Sequence, residues 1–169
     1  LALIGVAIAG VAAALSAVAV HAAGLLGSEV LTWLAGSTYA RGWSAFLAAL
    51  PGLALWLPAM LLARRLDLVV LGDQHAAALG TRVAGTRRAA LATAALAVGL
   101  AVAAVGPVAF IGLIAPHTTR LLVGGRHMPV IAIAPLLGGA LLAIADLVGR
   151  SVLAPTEVPA GVITALIGA

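Results

Sequence analysis

From Leu1 to Ser28 no residue carries a formal charge, and the same silence recurs at Trp43–Ala63 and Ala89–Val105, while Val130–Leu153 holds only Asp146 and Arg150, towards its end. Intervals of this length constrain the fold severely. A helix rises about 1.5 Å per residue, so about 20 apolar residues cross the hydrocarbon of a bilayer. The whole chain has 8% charged and 64% apolar residues and a mean hydropathy of +1.24. A soluble domain carries about a quarter charged residues, and so few could not cover a globule with polar surface. The sequence therefore predicts an all-α membrane protein, a polytopic transmembrane helix bundle with lipid as its solvent.

Residue types missing from the chain exclude whole classes of chemistry. There is no cysteine, hence no disulfide, thiol catalysis or cysteine metal site. All nine cations are arginine; without lysine there is no P-loop and no Schiff base, so any ATP must be bound by another polypeptide. The basic pI near 11.5 does not indicate nucleic acid, because the arginines lie in the connections between apolar spans. His21, His75, His117 and His127 fall on different connections without ligand spacing, which predicts no metal site.

The predicted spans are Leu3–Val20, Trp43–Ala63 (kinked by Pro51 and Pro58), Ala89–Val105, a short Phe110–Val123 interrupted at Pro116 and His117, Val130–Leu153, and a final one beginning at Gly161. That is about five spans plus the start of another in a single transmembrane region over residues 1–169. Leu25–Tyr39 is too polar to span and reads as an interfacial helix. The connection 64–88 is the longest polar one, and within it Leu68–Leu79 is expected to form a short helix stopped by Gly80. The chain opens inside one apolar run and stops inside another, which suggests a piece of a longer protein.

Alternate connections place Arg64, Arg65, Arg82, Arg87, Arg88, Arg120 and Arg126 on one face and Arg41 and Arg150 on the other. The positive-inside rule makes the first face cytoplasmic and the loops around Glu29 and Glu157 external. This assignment requires Phe110–Val123 to cross back.

Several stretches resemble the FecCD-type permease family, the membrane subunits of ABC importers for ferric siderophores, haem and cobalamin. Gly106–Arg120, GPVAFIGLIAPHTTR, is similar to a GPIGFVGLIxPHxxR pattern, and Leu142–Gly168 to an LLxADLxARxxxAPxELPVGxxTAxIG pattern. Leu66–Gly80, LDLVVLGDQHAAALG, resembles a cytoplasmic loop ending in A-x-x-LG, and Trp33–Ser37 a W-L-x-G-S element. The resemblance implies a type II ABC importer permease, this chain running from a fifth span to the start of a tenth in a bacterial inner membrane, multi-pass. It also implies the partners: a cytoplasmic ABC ATPase that binds ATP and Mg, an extracytoplasmic substrate-binding protein, and a second permease copy or homologous half. The chain itself would hold no cofactor and make no covalent bond. Gln74-His75-Ala76 stands where many ABC importers have Glu-Ala-Ala.

Site residues follow partly from that likeness. Leu68, Gly72, Asp73, Gln74, Ala76, Leu79 and Gly80 match the coupling helix that rests in the ATPase. Arg150 matches an external arginine that docks the binding protein, with Arg41 a second candidate by position; Arg150 also stands four residues after Asp146, in a favourable orientation for an intrahelical pair. Gly106, Pro107, Gly112 and Pro116 are expected to set backbone breaks, and His117 to be hydrogen-bonded at a helix start. Asp146 is read as a structural partner, Glu157 as a cap on the final helix, and Pro159 as structural. The alternative function is an ion-coupled secondary transporter using Asp146, Glu157 or His117 as proton sites.

Overall fold

The computed structural model describes residues 2–22, 33–38, 42–152 and 158–168. Among them every regular element is helical: α1 (Ala2–Ala22), α2 (Trp43–Ala54), α3 (Trp56–Val70), α4 (Asp73–Ala78), α5 (Val83–Val105), α6 (Ile111–Val123), α7 (His127–Val152) and α8 (Ala160–Gly168). Side chains are distributed in reverse of a soluble domain. The buried positions are small, among them Ala63, Ala76, Ala104, Ala115, Ala145, Ala160, Thr86, Thr119 and Thr164, whereas Leu121, Leu147 and Leu166 are 75%, 68% and 79% exposed. Large apolar groups gain nothing by leaving lipid, while small ones let helices approach closely. Helices α5 and α7 are long and apolar enough to cross a membrane, and little of either is buried. A soluble protein's core helix would be enclosed instead.

The predicted second span is two helices. Pro51 lies inside α2, and the Leu55 N–H bonds to Gly52 O at 3.2 Å, tightening the last turn before the chain restarts at Trp56. Pro58 falls in the first turn of α3, where its missing N–H would have had no partner. Helix α3 then runs past Arg64 and Arg65 to Val70, and the helix expected over Leu68–Leu79 is divided. Gly72, at φ 109° and ψ 149°, adopts a conformation open almost only to glycine, so α3 ends and α4 begins around it. Helix α5 starts at Val83, ahead of the expected Ala89, and takes Arg87 and Arg88 into its first turns.

Pro116 does not interrupt α6, which is continuous from Ile111 to Val123. The lost bond is tolerated because α6 packs along α7. Ala115 and Thr119 are buried one turn apart on the packed face, and a Cβ at Gly138 of α7 would meet Ile111 at 3.2 Å and Ala115 at 3.5 Å. The turn at Gly124–Arg126 makes the two helices antiparallel, with Gly124 at φ +85°.

Helix α7 contains Pro135, which cannot donate to the carbonyl of Ile131 one turn earlier. In a bilayer an orphan carbonyl is costly. Trp56 at the start of α3 fills the gap: its indole Nε1–H donates to Ile131 O at 2.7 Å. Contacts otherwise run between α2 and α5, α3 and α5, α3 and α7, and α7 and α8.

Candidate functional site

Polar chemistry concentrates at the two ends of the bundle. The basic end gathers the tail of α3, α4, the start of α5, and the α6–α7 turn. Helix α4 is short and firmly bounded. At its close the N–H of Gly80 bonds to Ala77 O at 2.9 Å and that of Thr81 to Ala76 O at 2.9 Å, with Gly80 at φ +78°. These paired bonds form the Schellman motif, which needs a left-handed residue there. Gly80 stops the helix as the sequence predicts.

One face of α4 points inward, carrying Ala76 with 0% exposure. Asp73, Gln74, Leu79 and Gly80 are exposed, while Leu68 and Gly72 are half-buried. The seven expected coupling residues therefore divide in two, with Leu68, Gly72 and Ala76 holding the segment in place and the other four on its surface. Arg87 of α5 braces α4 through a two-pronged pair with Asp73, Nη1–Oδ2 at 3.1 Å and Nη2–Oδ1 at 2.8 Å. Both side chains are more than half exposed, so the brace is screened by water and salt.

A second tie at this end was not visible in the sequence. Asp67 Oδ1 accepts the main-chain N–H of His127 at 2.9 Å and the His127 ring Nδ1–H at 2.6 Å. His127 is the first residue of α7, so a carboxylate from α3 caps another helix and meets the positive end of its dipole. Burial acts to raise the Asp67 carboxyl. The His127 hydrogen bonds and the His127 and Arg126 charges outweigh it and hold the group below its ordinary 3.8.

The opposite end is built from backbone in contact with backbone. A Cβ on Gly106 would lie 2.0 Å from Trp33 O, on Gly36 2.3 Å from Pro107 O, on Gly161 2.2 Å from Ala35 O, and on Gly149 2.3 Å from Val158 O. Hydrogen bonds stitch these contacts: Gly161 N–H to Gly36 O at 2.8 Å and Val158 N–H to Gly149 O at 3.1 Å. The segment 36–38, expected as the end of an interfacial helix, is not helical; Gly36 turns it at φ +74° so that its carbonyl can serve the start of α8.

Asp146 and Arg150 form the predicted pair on α7, Oδ2 to Nε at 2.8 Å. The other Asp146 oxygen accepts the Thr38 hydroxyl, a partner the sequence reading missed. With both oxygens engaged, Asp146 is a structural carboxylate joining α7 to the 33–38 segment. Arg150 is 47% exposed.

The remaining expected positions separate. Gly106 ends α5 at φ +80°, and Pro107 presents its carbonyl to Gly36. Gly112 lies within α6 with open space at its Cβ position and breaks nothing. His117 is exposed in the middle of α6 and not at a helix start. The Pro159 carbonyl accepts the Val162 N–H at 2.9 Å in the first turn of α8. Arg41 and Glu157 lie outside the described residues. Phe110, absent from the expected set, holds φ +64°, and its ring fills the place a Cβ on Gly168 would take. A bulky residue so placed is rare and is held by its surroundings. Among the described residues no three His, Asp or Glu gather to hold a metal ion.

Comparison with known proteins gives these two ends a context. All of residues 1–169 match the FecCD transport family. The chain is 45% identical over 143 residues to the Fe(3+) dicitrate transport system permease protein FecD of Escherichia coli (strain K12), covering 84% of the chain and 45% of that protein. It is 40% identical over 146 residues to the iron(3+)-hydroxamate import system permease protein FhuG of Bacillus subtilis (strain 168), covering 83% and 42%. The chain thus spans under half the length of these relatives. Among solved structures, an inward-facing transporter assigned to the metal-chelate type of ABC transporter superposes with a TM-score of 0.78 at 32% identity, over 85% of this chain and 48% of that one.

Proposed function

Because the chain belongs to the FecCD transport family, we propose that it forms part of the permease of an ATP-driven importer, carrying an iron chelate inward across a bacterial inner membrane. The observation that supports this most is the segment 71–80. A glycine break, a short helix anchored by buried Ala76 and a Schellman stop make a rigid knob at the basic end. The basic end is the cytoplasmic one by the positive-inside rule. A separate ATPase, holding ATP and Mg, would seat the exposed face of that knob, Asp73, Gln74, Leu79 and Gly80, and pass its closure to the bundle.

At the far end Arg150 would receive the binding protein, with Arg41, two residues before α2 in the sequence, a second candidate. A second copy or homologous half completes the pathway, lined by α1 and α8. Those helices offer Ala, Gly, Val and Leu, walls that carry a bulky chelate by shape and give it few strong contacts to linger on. Ferric citrate and ferric hydroxamate are the first cargoes to try, with haem and cobalamin after them.

The test is ATP-driven uptake of each chelate into proteoliposomes holding the full permease, its ATPase and its binding protein. Gly80→Trp should abolish uptake while the bundle still inserts, because a large group at the left-handed stop disturbs the face the ATPase grips. Uptake equal to the unmodified protein would overturn the coupling role of this segment.

A further inference from the structure

Of the two helices that flank α4, α5 is tied to it by a water-exposed pair, whereas α3 runs directly into it across Gly72, and α3 is fastened unevenly to its neighbours. Among the described residues, both side-chain polar ties between α3 and another helix go to α7: Asp67 to the His127 main-chain and ring N–H groups, and the Trp56 indole to Ile131 O. Among the described residues α3 makes no hydrogen bond or ion pair to α5, which is joined to α4 instead through the exposed Asp73–Arg87 pair.

Resting on the reading above, we propose that Asp67 and Trp56 are positioning residues that clamp α3 to α7, so that displacement of the 71–80 segment reaches the Arg150 end. The clamp has two points, eleven residues apart on α3 and four apart on α7, or roughly 16 Å and 6 Å along the helix axes. One contact would leave a pivot; two so spaced suppress rotation of one helix against the other.

Each point persists for its own physical reason. Pro135 leaves the Ile131 carbonyl without an N–H inside the span, so releasing Trp56 orphans it in hydrocarbon. Asp67 supplies an acceptor to a helix start whose first N–H groups have no partner within the helix. Beyond the clamp, α7 is already joined to what would be the pathway wall. Gly149 O accepts from Val158 just before α8, and Asp146 holds Thr38, whose segment in turn bonds Gly161 of α8. The route runs α4, α3, α7, α8, every step after α4 crossing a named hydrogen bond.

Contact alone does not establish coupling, so the experiment reads the two ends separately. Spin labels are placed at Leu71→Cys with Leu96→Cys, and at Ser151→Cys with Leu96→Cys, in the full permease assembled with its ATPase in nanodiscs. ATP with vanadate should change both distances in the parent. In Trp56→Phe/Asp67→Ala, which removes the indole donor and the carboxylate acceptor, the Leu71 distance should still change, while the fraction of molecules showing the Ser151 change falls about fivefold or more. His127→Asn keeps the main-chain N–H and a side-chain donor and should retain most of the far-end change. Should the double variant not assemble, Trp56→Phe alone keeps an aromatic ring but no N–H donor and is expected to lose part of the Ser151 response. An undiminished Ser151 response in either variant overturns the clamp and leaves the proposed function intact. A parent that shows no nucleotide response at Leu71 overturns the proposed function and the clamp with it.

Discussion

The two ends of this bundle are held by opposite means. At the basic end, side chains bridge gaps: Asp67 reaches His127, Arg87 reaches Asp73, and a left-handed glycine closes α4. At the other end one side-chain bridge, the Thr38 hydroxyl to Asp146, supplements contacts made mainly by backbone. Gly36, Gly106, Gly149 and Gly161 let main chain touch main chain. Side-chain bridges are adjustable and part water-exposed, whereas backbone contacts admit a single spacing. On the proposed function, the end an ATPase would grip has the first construction, and the end that would keep helices in register has the second.

The sharpest way to break that contrast is to add one methyl group where backbone meets backbone and another where there is room. Gly161→Ala would set a Cβ 2.2 Å from Ala35 O and 3.1 Å from Gly36 O, both main chain and unable to swing aside. We expect a loss of about 3 kcal/mol, read as a lower unfolding temperature and a poor yield of monodisperse protein in detergent. Gly139→Ala on α7, where nothing lies within 4 Å, is the control and should melt like the parent. If Gly161→Ala also melts like the parent, the α8 start is not close-packed on 33–36 and the contrast fails.

These glycines also mark where sequence reading stops. Local rules found what is local: apolar intervals became helices, Gly80 stopped α4, and Asp146 paired with Arg150 one turn away. They erred at Pro116, a breaker in isolation, because packing of Ala115 and Thr119 against α7 supports α6 through it. They also ran the helix through Gly72, since the apolar pattern continued on both sides. No periodicity joins Asp67 to His127, Thr38 to Asp146 or Trp56 to Ile131, 60 to 108 residues apart. One of these left a trace. Pro135 inside a span strands the Ile131 carbonyl, so some donor had to face it, and a tryptophan in a neighbouring span is a natural one.

A smaller effect, and one with a pH signature, is expected at the basic end. Asp67→Ala removes the acceptor from two donors at the start of α7, a cost of about 2 kcal/mol at neutral pH. The sign of the acid dependence follows from the carboxyl being held below its ordinary 3.8 when folded. The unfolded chain takes up the proton first as pH falls, so the stabilisation is complete above 3.8 and is lost as pH drops through the folded value. Thermal unfolding in detergent between pH 7 and 3 should show this loss in the parent and a flatter curve in Asp67→Asn. Identical slopes would mean that the tie does not depend on charge.

The smallest effect separates the two ties of the basic end from each other. Asp73 and Arg87 are 57% and 56% exposed, so Arg87→Gln should cost less than about 1 kcal/mol. That difference should vanish near 1 M salt, where the screening length is about 3 Å. The buried Ala76 would keep α4 seated without the pair. A larger, salt-insensitive loss would mean that the brace is structural and that the two ties are alike. The expected weakness suits the proposed coupling role: an ATPase seated on α4 could recruit Asp73 or Arg87 for its own contacts if their mutual attraction is cheap to break, while in the proposed clamp Asp67 would hold α7 throughout.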